Sequence, residues 1–135
     1  MSLKRFVEAQ DDLYEDVCEE LRRGEKRTHW MWLVFPQIAG LGHSEMARRY
    51  AIASIEEARE YLAHPVLGSR LRECVGILNG VNGRTIGQIM GYPDNLKLRS
   101  SLTLFARATD DNQVFRDALD KYYGGEMDPE TQKRL

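Results

Sequence analysis

Apolar side chains recur along the first stretch of the chain at Phe6, Ala9, Leu13, Val17 and Leu21, with Tyr14 and Cys18 beside them. Glu8, Asp11, Asp12, Glu15, Asp16, Glu19 and Glu20 fill the opposite side. Spacing of three and four residues lays one apolar stripe along a helix, so the pattern predicts a single amphipathic helix over residues 3–23. Arg22 and Arg23 suit the negative end of its dipole, and Gly24 suits a left-handed cap. The periodicity then breaks. Residues 28–37, Thr-His-Trp-Met-Trp-Leu-Val-Phe-Pro-Gln, form an apolar run that holds both tryptophans of the chain. Pro36 pushes Phe35 away from the helical region, so the run reads as extended or irregular and largely buried. A short helix over residues 31–34 is the alternative. Gly40 and Gly42 frame the loop that follows, where positive φ or close backbone approach is permitted.

Helical spacing returns after the loop. Ser44 is a cap for a short helix over residues 45–50, and Ser54 with Glu57 matches a capping box ahead of a helix reaching His64. Pro65 opens a helix carrying Val66, Leu67, Leu71, Cys74, Val75 and Leu78. Thr85 and Gln88 form a second capping box before a short helix closed by Gly91. Asp94 is the expected cap of a helix over residues 95–108, with Leu98, Leu102 and Phe105 in one stripe. Asp110-Asp111 is expected to cap the next, through Val114, Phe115, Ala118, Leu119 and Tyr122 to Gly124. Asp128-Pro129 begins a last polar turn. No repeat, linker or low-complexity segment divides the chain. The reading is a single all-α domain over residues 1–135, with six or seven helices packed around the aromatic irregular segment of residues 28–42.

Composition narrows the class without naming a reaction. With 135 residues, 42% of them hydrophobic and 30% charged, the chain can fill one real core and belongs with soluble globular domains. A net charge of −2 supplies no drive toward nucleic acid or a membrane surface, and neither partner is expected. No window approaches the ~18 apolar residues of a membrane span. The first residues run directly into Glu8 and Asp11-Asp12, so no signal peptide is expected and the location is read as cytoplasmic. Cys18 and Cys74 each lie in an apolar helical pattern and read as two buried thiols in a reducing compartment, with a disulfide or a catalytic thiol as the alternative.

The familiar constellations are missing. There is no glycine-rich phosphate loop, no Cys-x-x-Cys pair and no His-Glu-x-x-His, so neither a cofactor nor a metal is expected. His29, His43 and His64 are scattered, and no serine lies in a nucleophile elbow. Three features remain. His29, Trp30, Trp32 and Gln37 would make a stacking wall with polar groups for a base or sugar, or they are core. Lys97 and Arg99 near a helix start would hold a phosphate or carboxylate, or they pair with acids such as Asp94. Glu8 would be a general base if it faced a pocket, and otherwise is a solvated acid.

Several motifs together resemble a known family. They are Phe6-x-x-Ala9-Gln10, then Lys26-x-Thr28-His29-Trp30-Met31-Trp32-x-x-Phe35-Pro36-Gln37-x-x-Gly40-Leu41-Gly42-x-Ser44, then Arg49-Tyr50-Ala51-Ile52, Glu57-Ala58, Tyr61-Leu62-x-His64-Pro65-x-Leu67-Gly68, and Leu96-Lys97-Leu98-Arg99-Ser100-Ser101-x-Thr103-Leu104-Phe105. Over nearly the whole chain the pattern resembles a bacterial family of unknown function often labelled "calpastatin". A calpain inhibitor of that type is disordered and repeat-bearing, whereas this chain is patterned and repeat-free, so the label implies no protease inhibition. Phe6, Ala9-Gln10 and His64-Pro65-x-Leu67 are also similar to an N-glycosidase-like family associated with NAD and ADP-ribose. That likeness implies a nucleotide-sugar ligand stacked near Trp30 and Trp32, with Glu8 as acid or base. The combined expectation is a pocket for a small anionic, nucleotide- or sugar-phosphate-like ligand, in its sharper form an N-glycosidic-bond hydrolase. The competing expectation is a protein–protein interaction module without a ligand. No oligomeric state follows from the sequence.

Overall fold

The helix expected over residues 3–23 is two helices. A computed structural model describes residues 3–135, and in it α1 (Lys4–Asp11) and α2 (Tyr14–Arg23) part at Leu13, whose φ of −121° and ψ of −2° leave the helical basin. The break has a packing cause. Phe6 and Gln10 of α1 are buried against Tyr50, Tyr61 and the carbonyl of Leu33. The buried residues of α2, by contrast, serve a helix that packs on the helix of residues 67–80. A straight rod of that length would serve only one of these partners. Gly24 closes α2 in the left-handed conformation, as its position predicts.

The aromatic run contains one helical turn, α3 (Met31–Val34), which is the alternative the sequence left open. Trp30, Met31, Val34, Phe35 and Ile38 are buried. Beyond Pro36 the chain extends and pairs briefly with residues 51–52. Ala39 N–H donates to the Ile52 carbonyl and Ile52 N–H to the Gln37 carbonyl, both at 2.8 Å. Ser44 then caps α4 (Glu45–Arg49) by accepting the Ala47 N–H.

Ser54 caps α5 (Ile55–Ala63) by accepting the Glu57 N–H, while the Glu57 carboxylate takes the Ala53 N–H at 2.9 Å rather than that of Ser54 itself. His64 has a local structural task. Its Nδ1 accepts the N–H groups of Val66 and Leu67 at 3.1 and 3.2 Å, capping α6 (Leu67–Gly80). The Thr85–Gln88 box opens α7 (Ile86–Met90) with both of its reciprocal bonds. Two expected caps are not caps. Asp94 lies inside the first turn of α8 (Asp94–Ala108), where its carboxylate is spent on Lys26 and Lys97. Before α9 (Gln113–Tyr123) the cap position belongs to Asn112, whose amide donates instead to the Ala106 carbonyl, so Asp110-Asp111 plays no such part. Asp128 does cap α10 (Pro129–Lys133), with Pro129 in the first turn.

Helices α5, α6, α8 and α9 pack on one another around a single core. Phe105 of α8 joins Tyr61 of α5 to Phe115 of α9, at ring-centroid distances of 5.2 and 6.1 Å. The result is one all-α domain with ten helices among the described residues, more than the six or seven expected because several are single turns. No helix among them is long and apolar enough to cross a membrane.

Candidate functional site

One turn of helix divides the aromatic run between core and cavity. Met31, Val34 and Phe35 share the inward face of α3, at the spacing that puts residues on one side of a helix, and they are buried. Trp32 points away from that face and is half-buried. Beside it lies a cavity of about 150 Å³, floored by Met31, Phe35, Ile38 and Tyr50 and walled by Trp32, Pro36 and Gln37, with Ala47, Arg48 and Lys97 closing it. The loop at its edge needs its glycines. Gly40 has φ of 98°, and a Cβ there would meet the Arg134 guanidinium at 2.4 Å. A Cβ on Gly42 would meet that of Ala47 at 2.5 Å.

Lys97 reaches the cavity from the first turns of α8 and holds its ammonium 4.8 Å from the Trp32 ring centre, within cation–π range. Its ion pair with Asp94 is long, at 3.8 Å, because the same carboxylate contacts Lys26 at 3.0 Å. Lys26 in turn donates to the Thr28 carbonyl at 2.6 Å and lies 5.0 Å from the Trp30 ring, so it is fully engaged. Arg48 and Lys97 are the charged residues among those lining the cavity, and no carboxylate lines it. The Trp32 indole N–H is buried and has no hydrogen-bond partner among the described residues. A positive, aromatic-walled recess can hold an anion attached to a ring. It has no carboxyl or imidazole with which to move a proton.

The residues singled out from the sequence separate into two groups. Trp32, Gln37 and Lys97 line this cavity together. Trp30 is core: it is 1% exposed, donates its indole N–H to Glu20 at 3.0 Å, and packs on Phe35. His29 is exposed and does not line the cavity. Arg99 is turned elsewhere, its guanidinium donating to the carbonyls of Glu126 and Met127, both at 2.9 Å, and so tying α8 to the chain entering α10. Glu8 lies on the outer face of α1, with its side chain 66% exposed and 3.6 Å from Lys4. Arg48 and Tyr50 are cavity residues that sequence reasoning missed. The Ile38–Ile52 bridge that carries their segment alongside residues 36–39 joins positions far apart in the chain, and no local pattern announces it.

Residues 1–135 match the model of a family described as a protein of unknown function, DUF1810. The chain is 60% identical to the conserved hypothetical protein Rv1873 from Mycobacterium tuberculosis, and the two structures superpose with a TM-score of 0.97 over 98% of this chain and 95% of that one. None of the curated proteins matches the chain.

Proposed function

We propose that this chain, which belongs to that family of proteins of unknown function, binds a small ring-bearing anion, nucleotide- or sugar-phosphate-like, in the cavity between α3, the 36–42 loop, α4 and the start of α8. The observation that carries the reading is the Lys97 ammonium 4.8 Å from the Trp32 ring in a recess without a carboxylate. Trp32 would stack on the ring and Lys97 and Arg48 would take the phosphate or carboxylate. The Gln37 amide would orient a hydroxyl or base edge. Size limits the ligand. At about 150 Å³ the recess holds half the volume of the smallest ordinary ligand pocket, roughly 300 Å³. One ring or one sugar phosphate fits, and anything attached to it extends into solvent past Arg48.

Binding is favoured over cleavage of an N-glycosidic bond. Such cleavage calls for a carboxyl group within hydrogen-bonding reach of the bond, roughly 3 Å, and Glu8 is held on the surface beside Lys4. A partner-binding face has less support, because the exposed large apolar side chains among the described residues are Met46, Tyr92 and Leu96 alone. A patch of several hundred Å² needs more.

The test is a thermal-shift and calorimetric titration with AMP, ADP-ribose, ribose 5-phosphate and inorganic phosphate. A ligand at ~100 times its Kd adds about 2.7 kcal/mol to stability. A rise in Tm with a ring-bearing phosphate, weakened in Lys97→Met, supports the reading. No shift with any of the four, or equal binding by Lys97→Met, overturns it.

A further inference from the structure

A third cation stands at the cavity beside Trp32. Arg134, which follows α10, lays its guanidinium against Gly40, and Gly40 is part of the cavity wall. A Cβ on Gly40 would lie 2.9 Å from the Arg134 Cζ, so only the missing side chain lets the guanidinium rest there. The position of Arg134 is set by the same helix that carries Lys97. The Asp128 carboxylate accepts the Ser100 hydroxyl of α8 at 3.0 Å, together with the Thr131 N–H and hydroxyl at 3.1 and 2.6 Å. The Thr103 hydroxyl of α8 in turn accepts the Asp128 N–H at 2.9 Å. Ser100, Thr103 and Thr131 are buried, so this polar joint fixes α10 on α8. Lys97 reaches the cavity from α8 directly, and Arg134 reaches its glycine loop through α10.

Arg134 has no competing duty. Glu130, one turn earlier, is the acid at ion-pair spacing from it, yet Glu130 pairs with Lys133 at 3.3 Å. Among the described residues no hydrogen bond or ion pair engages the Arg134 guanidinium, and the same is true of Arg48. Both side chains are exposed. Two unpaired guanidiniums therefore stand beside one recess whose lining contains no carboxylate.

We propose that Arg134 binds a second phosphate, which makes the ligand class a ring-bearing diphosphate; this rests on the reading that the cavity takes a ring-bearing anion. The ring stacks on Trp32, the inner phosphate meets Lys97 and Arg48, and the outer phosphate crosses the glycine loop to Arg134. Size and charge agree. A recess of about 150 Å³ is filled by the ring, so the phosphates are left at the rim, where the exposed guanidiniums stand. A diphosphate carries more negative charge than a monophosphate, and Arg134 is one cation more than the two that line the recess. The planar guanidinium fork suits two oxygens of a terminal phosphate.

The experiment is a calorimetric titration of AMP, ADP, phosphate and pyrophosphate into wild type, Arg134→Gln, Arg134→Lys and Lys97→Met, with EDTA present to keep the anions free of metal. Wild type should bind ADP at least about tenfold more tightly than AMP, the gain from one charge-assisted contact. Arg134→Gln should bind both with the affinity of AMP and keep the wild-type Tm, while Arg134→Lys keeps part of the preference. Equal affinity of wild type for AMP and ADP, or loss of both alike in Arg134→Gln, overturns the role of Arg134. A Lys97-dependent affinity for AMP in that case leaves the cavity reading standing. If neither nucleotide binds, the cavity reading falls, and pyrophosphate decides for Arg134 separately. Pyrophosphate bound more tightly than phosphate, and weakened in Arg134→Gln, upholds the second phosphate site. Pyrophosphate that does not bind, or binds Arg134→Gln equally well, removes it.

Discussion

Trp30 donates its indole N–H to Glu20 at 3.0 Å, from inside the core. The same carboxylate accepts the N–H groups of Arg27 and Thr28, at 2.6 and 3.0 Å, and the Thr28 hydroxyl at 2.7 Å. One acid thus gathers four donors and fixes the connection between α2 and α3. This explains why an acid on the polar side of an amphipathic helix is 8% exposed. It also assigns Trp30 to architecture, leaving Trp32 as the tryptophan that faces a cavity.

Loss of that carboxylate should be costly at neutral pH. Burial pushes the Glu20 carboxyl up, but the four hydrogen bonds outweigh it and hold the group below the usual carboxylate range. A depressed pKa contributes stability above the unfolded value, ~4.3, and that stability is lost as pH falls through the folded one. Glu20→Ala should lower unfolding free energy by about 3 kcal/mol at pH 7. In urea titrations the gap from wild type should narrow steadily below pH ~4.3. A gap independent of pH would show that the charge is not what matters.

Two glycines of α6 should respond to alanine in opposite directions. A Cβ on Gly68 would lie 2.1 Å from the Leu62 carbonyl oxygen, a backbone atom that cannot step aside, whereas nothing lies within 4 Å of one on Gly76. Gly68→Ala should cost at least about 3 kcal/mol through displacement of α5 from α6. Gly76→Ala, on the exposed side of the same helix, should add roughly 0.5–1 kcal/mol. Chemical denaturation of the two variants checks both signs.

What was legible in the sequence was what local physics determines. Helical periodicity found the major helices, and the serine, threonine and aspartate caps at Ser44, Ser54, Thr85 and Asp128 act where predicted. Two of the misses share a cause, a partner distant in the chain. The break at Leu13 reflects two packing neighbours for one amphipathic stripe. Asp94 gave up capping because Lys26 lies 3.0 Å away. At the cavity, residue type identified Trp32, Gln37 and Lys97, but could not tell Lys97, aimed at Trp32, from Arg99, turned two positions round the helix toward residues 126–127.

The Phe6-x-x-Ala9-Gln10 motif has a physical reading of its own. Gln10 is 1% exposed. Its amide donates to the Leu33 carbonyl at 2.6 Å and to the Tyr61 hydroxyl at 3.1 Å, joining α1 to α3 and α5. Gln10→Leu keeps the volume but strands both acceptors, so it should cost about 2–3 kcal/mol. Amide hydrogen exchange in residues 31–35 should speed up more than in α9. Uniform acceleration across the molecule would count against this local role.

Lys97 and Arg99 give the most direct separation of binding from architecture, because they stand two residues apart on α8 with opposite duties. Lys97 keeps only a 3.8 Å pair to Asp94 and projects over Trp32. Lys97→Met preserves the length and apolar stem of the side chain, so stability should change by less than about 0.5 kcal/mol. Affinity for a ring-bearing phosphate should drop by at least about tenfold, the loss of one charge-assisted bond. Arg99 should behave the other way. Its two hydrogen bonds hold the chain entering α10, so Arg99→Ala should cost about 1–2 kcal/mol and leave affinity unchanged. Parallel calorimetric titrations and urea unfolding of both variants would show the crossed pattern. If instead Arg99→Ala loses the ligand while Lys97→Met retains it, the anion is held on the far side of α8 and the cavity beside Trp32 is only a packing fault.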